Sequence, residues 1–288
     1  THDTYWTNSM SRSEFYDALG REVFLGDEED EATARLGNRH RIINGYHFLC
    51  VEMSSYAVGG NVLNDTTRNW LISNLDAITS ENPNQYVFVL SHSPAKNTVL
   101  GSRDSDDSGN WGSSQMLRDI YSNYPQIISL SGHTHYINHD DAFISTEGGF
   151  LSVGVPSLSD FEYNDKVVDE ITGGSIGSPI VNSRTYSFGQ FYEVDKNGNI
   201  KLTRYDFKND DVIKTPFVFP SVKSDGSHLE KLSLEYRASI NTAPYIDPEK
   251  EKMLRINYTG EKSFDLIYPK FEDDDMVFYY HIVYKDNN

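Results

Sequence analysis

Two short apolar runs, residues 86–91 (YVFVLS) and 126–131 (QIISLS), constrain the fold of this chain more than any other feature. Each run is bounded by polar residues, as expected for a strand that is buried in a sheet. Residues 113–123 (SSQMLRDIYSN) have a helical pattern and lie between the two runs. Strands that alternate with helices up to about residue 131 predict an α/β fold.

Other segments before residue 131 fit the same pattern. Residues 65–79 carry apolar side chains at helical spacing and predict a helix with Asp65 as its cap. Residues 13–19 predict a further helix. Within residues 41–53, Asn44-Gly45 separates two apolar runs, which is the strongest short signal for a β-hairpin.

From residue 143 onward the pattern changes to strands and turns. It predicts one strand pair around Gly148-Gly149 and a hairpin that turns at Asn197-Gly198. The two prolines within residues 215–220 predict a boundary between a first domain, 1–220, and a small all-β domain, 221–288. Four segments of the second domain have a β-like pattern: SLEYRASI, MLRINYTG, SFDLIYP and MVFYYHIVYKD.

The charge balance limits the kinds of molecule that this chain is expected to bind. The 288 residues include 25 Lys and Arg against 43 Asp and Glu, so the net charge is −18. A chain this acidic repels nucleic-acid backbones and anionic membrane surfaces. No apolar run approaches the ~20 residues that span a bilayer. Cys50 is the single cysteine, which excludes an intrachain disulfide and a zinc site made of cysteines alone.

Histidines follow both apolar runs directly. His92 comes after VFVLS, and Gly132-His133-Thr134-His135 comes after IISLS. The carboxyl ends of strands are where open α/β sheets bind ligands. An extended backbone directs His133 and His135 to one side, and Gly132 leaves space for a metal or phosphate. Imidazole nitrogens suit Zn, Fe, Mn and Ni, so the pattern predicts a metal cluster; the alternative is that each histidine is a satisfied polar residue at a strand end.

With these motifs the sequence resembles the calcineurin-like metallophosphoesterases over about residues 1–206. The last two of the family's ordered motifs stand here as Ser91-His92-Ser93-Pro94 and Gly132-His133-Thr134-His135, and Thr1-His2-Asp3 matches the truncated third. The resemblance implies that His92 and His133 ligate one metal and His135 the other. It also implies that His2 is the acid or the phosphate-orienting residue. Thr1 stands where the family has a metal-ligating Asn.

The resemblance also implies a fold and an activity. The fold is the later part of an α/β/β/α sandwich, and residues 221–288 resemble the fibronectin-like β-domains of some extracytoplasmic family members. The activity is hydrolysis of small phosphate monoesters or diesters, with two divalent or trivalent metals (Mn, Fe or Zn) in the full protein. The acidic composition disfavours long nucleic acids as substrates.

The first two family motifs have no match, so the Asp that bridges the two metals is missing. Gly26-Asp27-Glu28-Glu29-Asp30 and Gly37-Asn38-Arg39-His40 imitate the second and third motifs, but are predicted to be an acidic surface loop. We therefore expect this chain to hold one metal or none and to be a poor catalyst. We also expect it to self-associate through exposed parts of the sheet.

An alternative class of function is a non-catalytic interaction module or a degenerate member of the family. The aromatic residues of the last strand, 276–284, would then form a binding surface, although alternate packing in a β-sandwich is favoured. His139-Asp140-Asp141 is expected to be a solvated loop rather than part of a pocket, and His47 a packed or surface residue. The chain has no Gly-x-Ser-x-Gly, P-loop or Gly-x-Gly-x-x-Gly motif.

Overall fold

The computed structural model describes residues 37–53, 55–57, 60–103, 113–158 and 187–273, together with Glu14, Asp17 and Ala18. The chain divides into two compact units, residues 1–236 and 237–288. The helix predicted at 13–19 lies outside the described residues except for those three positions, and the predicted strand at 276–284 lies outside them altogether.

A six-stranded mixed sheet is the frame of the first unit. Its strands, in spatial order, are β1 (Arg39–Ile43), β2 (Tyr46–Val51), β5 (Val87–Ser91), β6 (Ile127–Ser131), β8 (Leu151–Gly154) and β7 (Ile144–Ser145). The four inner strands are parallel to one another, and the outer strands β1 and β7 are antiparallel to their neighbours. The predicted hairpin at Asn44-Gly45 and the strand pair around Gly148-Gly149 are confirmed.

Each face of this sheet carries a hydrophobic core. On one face lie the helices α1 (Asp65–Glu81) and α2 (Gln115–Tyr121), whose buried residues pack with alternate residues of β2, β5 and β6. On the other face lies a three-stranded antiparallel sheet made of β9 (Phe188–Val194), β10 (Ile200–Asp206) and β11 (Asp211–Phe219). The fold is thus α/β with a mixed sheet and a separate antiparallel sheet. Two short strands, β3 (Ser55–Ala57) and β4 (Gly60–Val62), form a separate two-stranded antiparallel sheet.

Helix α1 begins where an asparagine caps it. The Asn64 side chain accepts a hydrogen bond of 2.8 Å from the backbone N–H of Thr67. The predicted helix at 65–79 is confirmed, but the predicted cap, Asp65, is instead the first helical residue. Its charge still lies favourably at the positive end of the helix dipole.

Of the two prolines within residues 215–220, Pro216 lies at an irregularity in a strand. Pro216 lies inside β11, an edge strand whose register against β10 shifts between Leu202 and Arg204. Proline lacks an N–H donor, and sheets tolerate it at edges and bulges. The first unit therefore continues beyond the boundary predicted at residue 220, as far as Tyr236. The hairpin predicted at Asn197-Gly198 joins β9 to β10 and is confirmed.

In residues 237–273, the described part of the second unit, two strands are present. β12 (Arg255–Gly260) and β13 (Ser263–Ile267) form an antiparallel pair, and α4 (Pro248–Glu251) precedes them. The segment SLEYRASI, predicted to be a strand, forms helix α3 (Leu234–Ile240) instead. The Ser233 hydroxyl accepts a hydrogen bond from the Tyr236 N–H, which is the contact of a helix cap and explains the error.

The outer face of the three-stranded sheet exposes aromatic side chains. Phe191 and Phe207 are each about half exposed, and both contact Tyr205. Self-association through such a surface stays a prediction. No helix in the described ranges is long and apolar enough to cross a membrane.

The cap of α1 gives a direct test of this local structure. Replacing Asn64 by Ala should lower the free energy of unfolding by about 1 kcal/mol, because the Thr67 N–H loses its acceptor. Replacing Asp65 by Asn removes the charge but leaves the cap in place, so its effect should be only a few tenths of a kcal/mol. Urea denaturation of both variants measures the difference, and equal losses would contradict the assignment of the cap.

Candidate functional site

The candidate site lies where three parallel strands end side by side. Val51 of β2 is paired with Ser91 of β5, and Ser91 is paired with Ser131 of β6. The residues that follow these three positions therefore meet at one edge of the sheet. They are Glu52, His92 and Gly132-His133.

Two of the predicted metal ligands are in direct contact. The Nε2 atom of His92 lies 2.9 Å from the Nδ1 atom of His133, and the ring centroids are 4.7 Å apart. Both histidines are half-buried. The structure thus brings together imidazoles that lie 41 positions apart in the sequence.

His135 lines the same cavity as this pair. The cavity has a volume of about 620 Å³, and it opens to solvent. Glu52 and Cys50 also lie on its wall. Within the part of the chain that the structure describes, no three His, Cys, Asp or Glu side chains lie close enough to share one metal ion. The set of three histidine ligands therefore stays a prediction, as do Thr1 and His2, which lie outside the described residues.

The backbone of the histidine motif is a tight turn and not a strand. His133 and His135 have φ angles of 71° and 57°, and the Thr134 N–H donates to the Gly132 carbonyl at 2.8 Å. The prediction that an extended backbone directs both imidazoles to one side is wrong. Left-handed φ angles are unfavourable for residues other than glycine, so the surrounding structure must hold this turn in place.

Gly101 is one of the contacts that hold the turn. A Cβ atom at Gly101 would come within 2.8 Å of the side chains of Thr134 and Tyr136, on either side of His135. Thr134 is buried, so it has little room to move. Gly101 itself belongs to a loop that follows His92 and is closed by the hydrogen bond from the Asn97 N–H to the Ser102 carbonyl at 2.8 Å. The loops that follow the two strands thus pack against each other.

A buried ion pair fixes the chain beyond the turn. Arg204 is 1% exposed and donates to the Asp141 carboxylate at 2.7 Å and to the Asn138 carbonyl at 3.0 Å. Its guanidinium lies over the rings of Phe143 and Phe217, 5.4 Å and 4.8 Å from their centroids. A charge this deep is tolerated because it is paired and stacked.

The prediction that His139-Asp140-Asp141 is a solvated loop is wrong. The Asp140 side chain accepts from the Ala142 N–H at 2.8 Å and starts a short 3₁₀ helix, Asp141–Phe143. His139 packs against the ring of Phe188. None of these three residues lines the cavity.

The wall opposite the histidines comes from the second sheet. Tyr192 of β9 lines the cavity and donates to the Gln190 Oε1 at 2.8 Å, while Gln190 donates to the Gly154 carbonyl at 2.9 Å. Burial raises the pKa of Tyr192 above its usual range, so its phenol stays neutral. Sequence reasoning missed this wall, because no sequence signal shows which face of β9 meets the first sheet.

Sequence reasoning also missed Glu52, for which a signal was present, and Asn38, for which none was. Glu52 follows an apolar strand just as His92 does, and the rule applied to the histidines would have found it. Asn38, which was assigned to an acidic surface loop, is fully buried. Its side chain donates to the Thr67 hydroxyl at 2.9 Å and accepts from the Glu52 N–H at 3.1 Å. Gly37 lies on the cavity wall, so this segment belongs to the site's frame.

Comparison with known proteins leaves the family open. No protein-family model matches the sequence, and no curated protein matches it. The chain is structurally similar to GAP50, the anchor in the inner membrane complex of Plasmodium, with a TM-score of 0.40 and 14% identity. The match covers 71% of this chain and 59% of that one, so this chain spans less than two thirds of its length.

The role of Gly101 can be tested with a matched pair of variants. Gly101 and Gly149 have φ angles of 77° and 84°, but only at Gly101 does an added Cβ meet other atoms. Gly101→Ala should separate the rings of His92 and His133, so that the nuclear Overhauser contact between them is lost in NMR spectra. Gly149→Ala has the same backbone strain and should keep that contact. Loss in both variants, or in neither, would show that Gly101 does not position the turn.

The environment of His139 predicts a pH dependence of stability. Burial, followed by the nearby Arg204 charge, lowers the pKa of His139 from 6.5 to about 4. Between these values the unfolded chain binds the proton and the folded chain does not, so stability falls as the pH drops from about 6.5 to about 4. Above that range this residue contributes nothing to the pH dependence.

The variant His139→Phe keeps a ring against Phe188 but cannot be protonated. Between pH 7 and pH 4 it should lose less unfolding free energy than the parent chain, by up to about 3 kcal/mol. Urea denaturation at the two pH values measures this difference. Parallel losses in parent and variant would contradict the assigned environment.

Proposed function

We propose that this chain is part of a metal-dependent phosphoesterase of the calcineurin-like type, which hydrolyses small phosphate monoesters or diesters. The observation that carries the proposal is the contact between His92 and His133 at the carboxyl ends of adjacent parallel strands, in an open cavity. The order of the sequence motifs supports the same function. The finer fold, an α/β/β/α sandwich followed by a fibronectin-like domain, belongs to this proposal.

The donor atoms fit a transition metal. Two nitrogens that each lie 2.0–2.1 Å from one ion are about 2.9 Å apart when the ligands are at right angles and about 3.3 Å apart in a tetrahedral site. The distance between the His92 Nε2 and the His133 Nδ1 is 2.9 Å. His135 and Glu52 line the same cavity and offer a further imidazole and a carboxylate. Imidazole and carboxylate together suit Zn, Mn and Fe.

In the full protein, two such metals would supply the positive charge that a phosphate ester needs in order to accept a nucleophile. His92 and His133 would hold one of them, and His135 the other. The two loops that carry these histidines are fixed by Gly101 and by the Arg204 ion pair, so the ligands are held in place before the metal arrives. Tyr192 and Gln190 form part of the cavity wall.

The chain by itself should be a weak catalyst. Two metals carry up to four positive charges, and the family balances them with carboxylates from its first two motifs, which have no match here. Thr1 replaces the expected Asn, and His2 is the remaining candidate for the acid. We therefore propose that the chain alone holds one metal or none. Because the chain has a net charge of −18, its affinity for an anionic substrate must come from bound metal.

The test compares this chain with a version extended upstream. Both are assayed with p-nitrophenyl phosphate and bis-p-nitrophenyl phosphate in the presence of Mn, Zn or Fe, and the metal content of each is measured. The extended chain should turn over at least one substrate, and the short chain much less. Equal turnover would show that this chain assembles a complete site from residues such as Glu52. Absence of turnover in both would favour a binding module.

Variants then identify the ligands. In the active form, His92→Ala and His133→Ala should each lower kcat/KM by about 100-fold or more, because each removes a metal ligand. His228→Gln replaces a histidine that packs against Tyr86 and does not line the cavity, so it should leave turnover unchanged. Full activity in His92→Ala would contradict the proposal, because it would show that His92 is not a metal ligand.

A further inference from the structure

A second pair of histidines has the same contact as the candidate site. The Nε2 atom of His40 lies 2.8 Å from the Nδ1 atom of His47, and the ring centroids are 5.0 Å apart. His40 is on β1 and His47 on β2, and both are half-buried. From the sequence, His47 is predicted to be a packed or surface residue.

The hairpin register explains why the two rings meet. His40 is paired with Leu49, and His47 is paired with Ile42. The two histidines are therefore diagonal neighbours on one face of the hairpin, where side chains are close enough to interact. The tight turn at Asn44-Gly45 fixes this register, so the pair is set by local structure.

This pair is separate from the candidate site. Side chains alternate between the two faces of a strand, so His47 and Leu49 lie on the face of β2 opposite to Cys50. Cys50 lines the cavity beside His92, whereas Leu49 belongs to the core on the helix side. His40 and His47 therefore lie on the helix-side face of the sheet, away from the candidate site.

We propose that His40 and His47 form a second metal site, which takes a late first-row divalent ion such as Zn²⁺, Ni²⁺ or Cu²⁺. The nitrogens are 2.8 Å apart, a hydrogen-bond distance, and one ion would hold two adjacent ligand nitrogens about 2.9 Å apart at right angles or about 3.3 Å apart in a tetrahedral site, so a small rotation of the rings would admit it. Imidazole is a preferred ligand of these ions. Because both rings are half-buried, they can turn towards an ion while water completes its coordination sphere.

A bound ion would cross-link the edge strand β1 to its neighbour β2. Asn38 directly precedes β1, and its side chain accepts a hydrogen bond of 3.1 Å from the Glu52 N–H. A metal bound by the histidine pair would thus stabilise the segment that carries Gly37 and frames the cavity. Its role is structural, and it depends neither on the metals of the proposed active site nor on a phosphorylated substrate.

The experiment removes the candidate site first. In the full chain carrying His92→Ala and His133→Ala, titration calorimetry with Zn²⁺ should show one ion bound per chain. Adding His40→Gln or His47→Gln should weaken that binding by about tenfold or more. Ile42→Ala, a change on the same face directly opposite His47, should leave it unaltered. Absence of Zn²⁺ binding in the background chain, or binding unaffected by either glutamine variant, would overturn the proposal.

A second measurement needs no further variant of the hairpin. Zn²⁺ added to the background chain should shift the ¹⁵N resonances of the His40 and His47 imidazoles. Unshifted resonances would overturn the proposal even if a glutamine variant failed to fold, which circular dichroism would reveal. Because no phosphoesterase activity is measured, the failure of this site and the failure of the proposed function can be told apart.

Discussion

The candidate site depends on the in-register pairing of three parallel strands. Val51, Ser91 and Ser131 lie side by side because β2, β5 and β6 are buried on both faces and cannot slip without exposing their apolar residues. A shift of one residue would turn Val87 and Val89 away from the helices and place Phe88 there. The two cores therefore fix the point at which each strand ends, and with it the positions of Glu52, His92 and His133.

The turn after β6 is under strain that the rest of the structure balances. Two residues other than glycine adopt left-handed φ angles within three positions, and such conformations cost of order 1–3 kcal/mol each. The turn is held from two sides, by the loop around Gly101 and by the buried Arg204. Placing a charged residue in the core is itself costly, and the ion pair with Asp141 together with the two aromatic rings offsets that cost. Strain of this kind concentrates where ligands must be held in a fixed geometry.

The two histidine pairs show how the same contact arises in two ways. His40 and His47 meet because a short hairpin sets their register, and seven positions separate them. His92 and His133 meet only because a helix and two parallel strands bring distant parts of the chain together. The first pair can form as soon as the hairpin forms, whereas the second requires the folded sheet. This difference suits a structural role for the first pair and a role in the site for the second.

The sequence by itself determined the elements whose signals are local. The turns at Asn44-Gly45 and Asn197-Gly198, the strands at 86–91 and 126–131 and the helix at 65–79 follow from residue type and periodicity. The position of His92 at a strand end was equally predictable. The same local rules failed for helix α3, where the side chain of Ser233 decided between helix and strand.

Only the tertiary structure decided which side chains meet. Asn38 is buried because it bridges α1 and Glu52, and nothing in its neighbouring residues indicates this. Pro216 lies in a bulged edge strand, because the sheet tolerates a missing donor there. Tyr192 lines the cavity because a second sheet packs over the first. Periodicity encodes the face that an element buries, but the partner on that face depends on the packing of the whole chain.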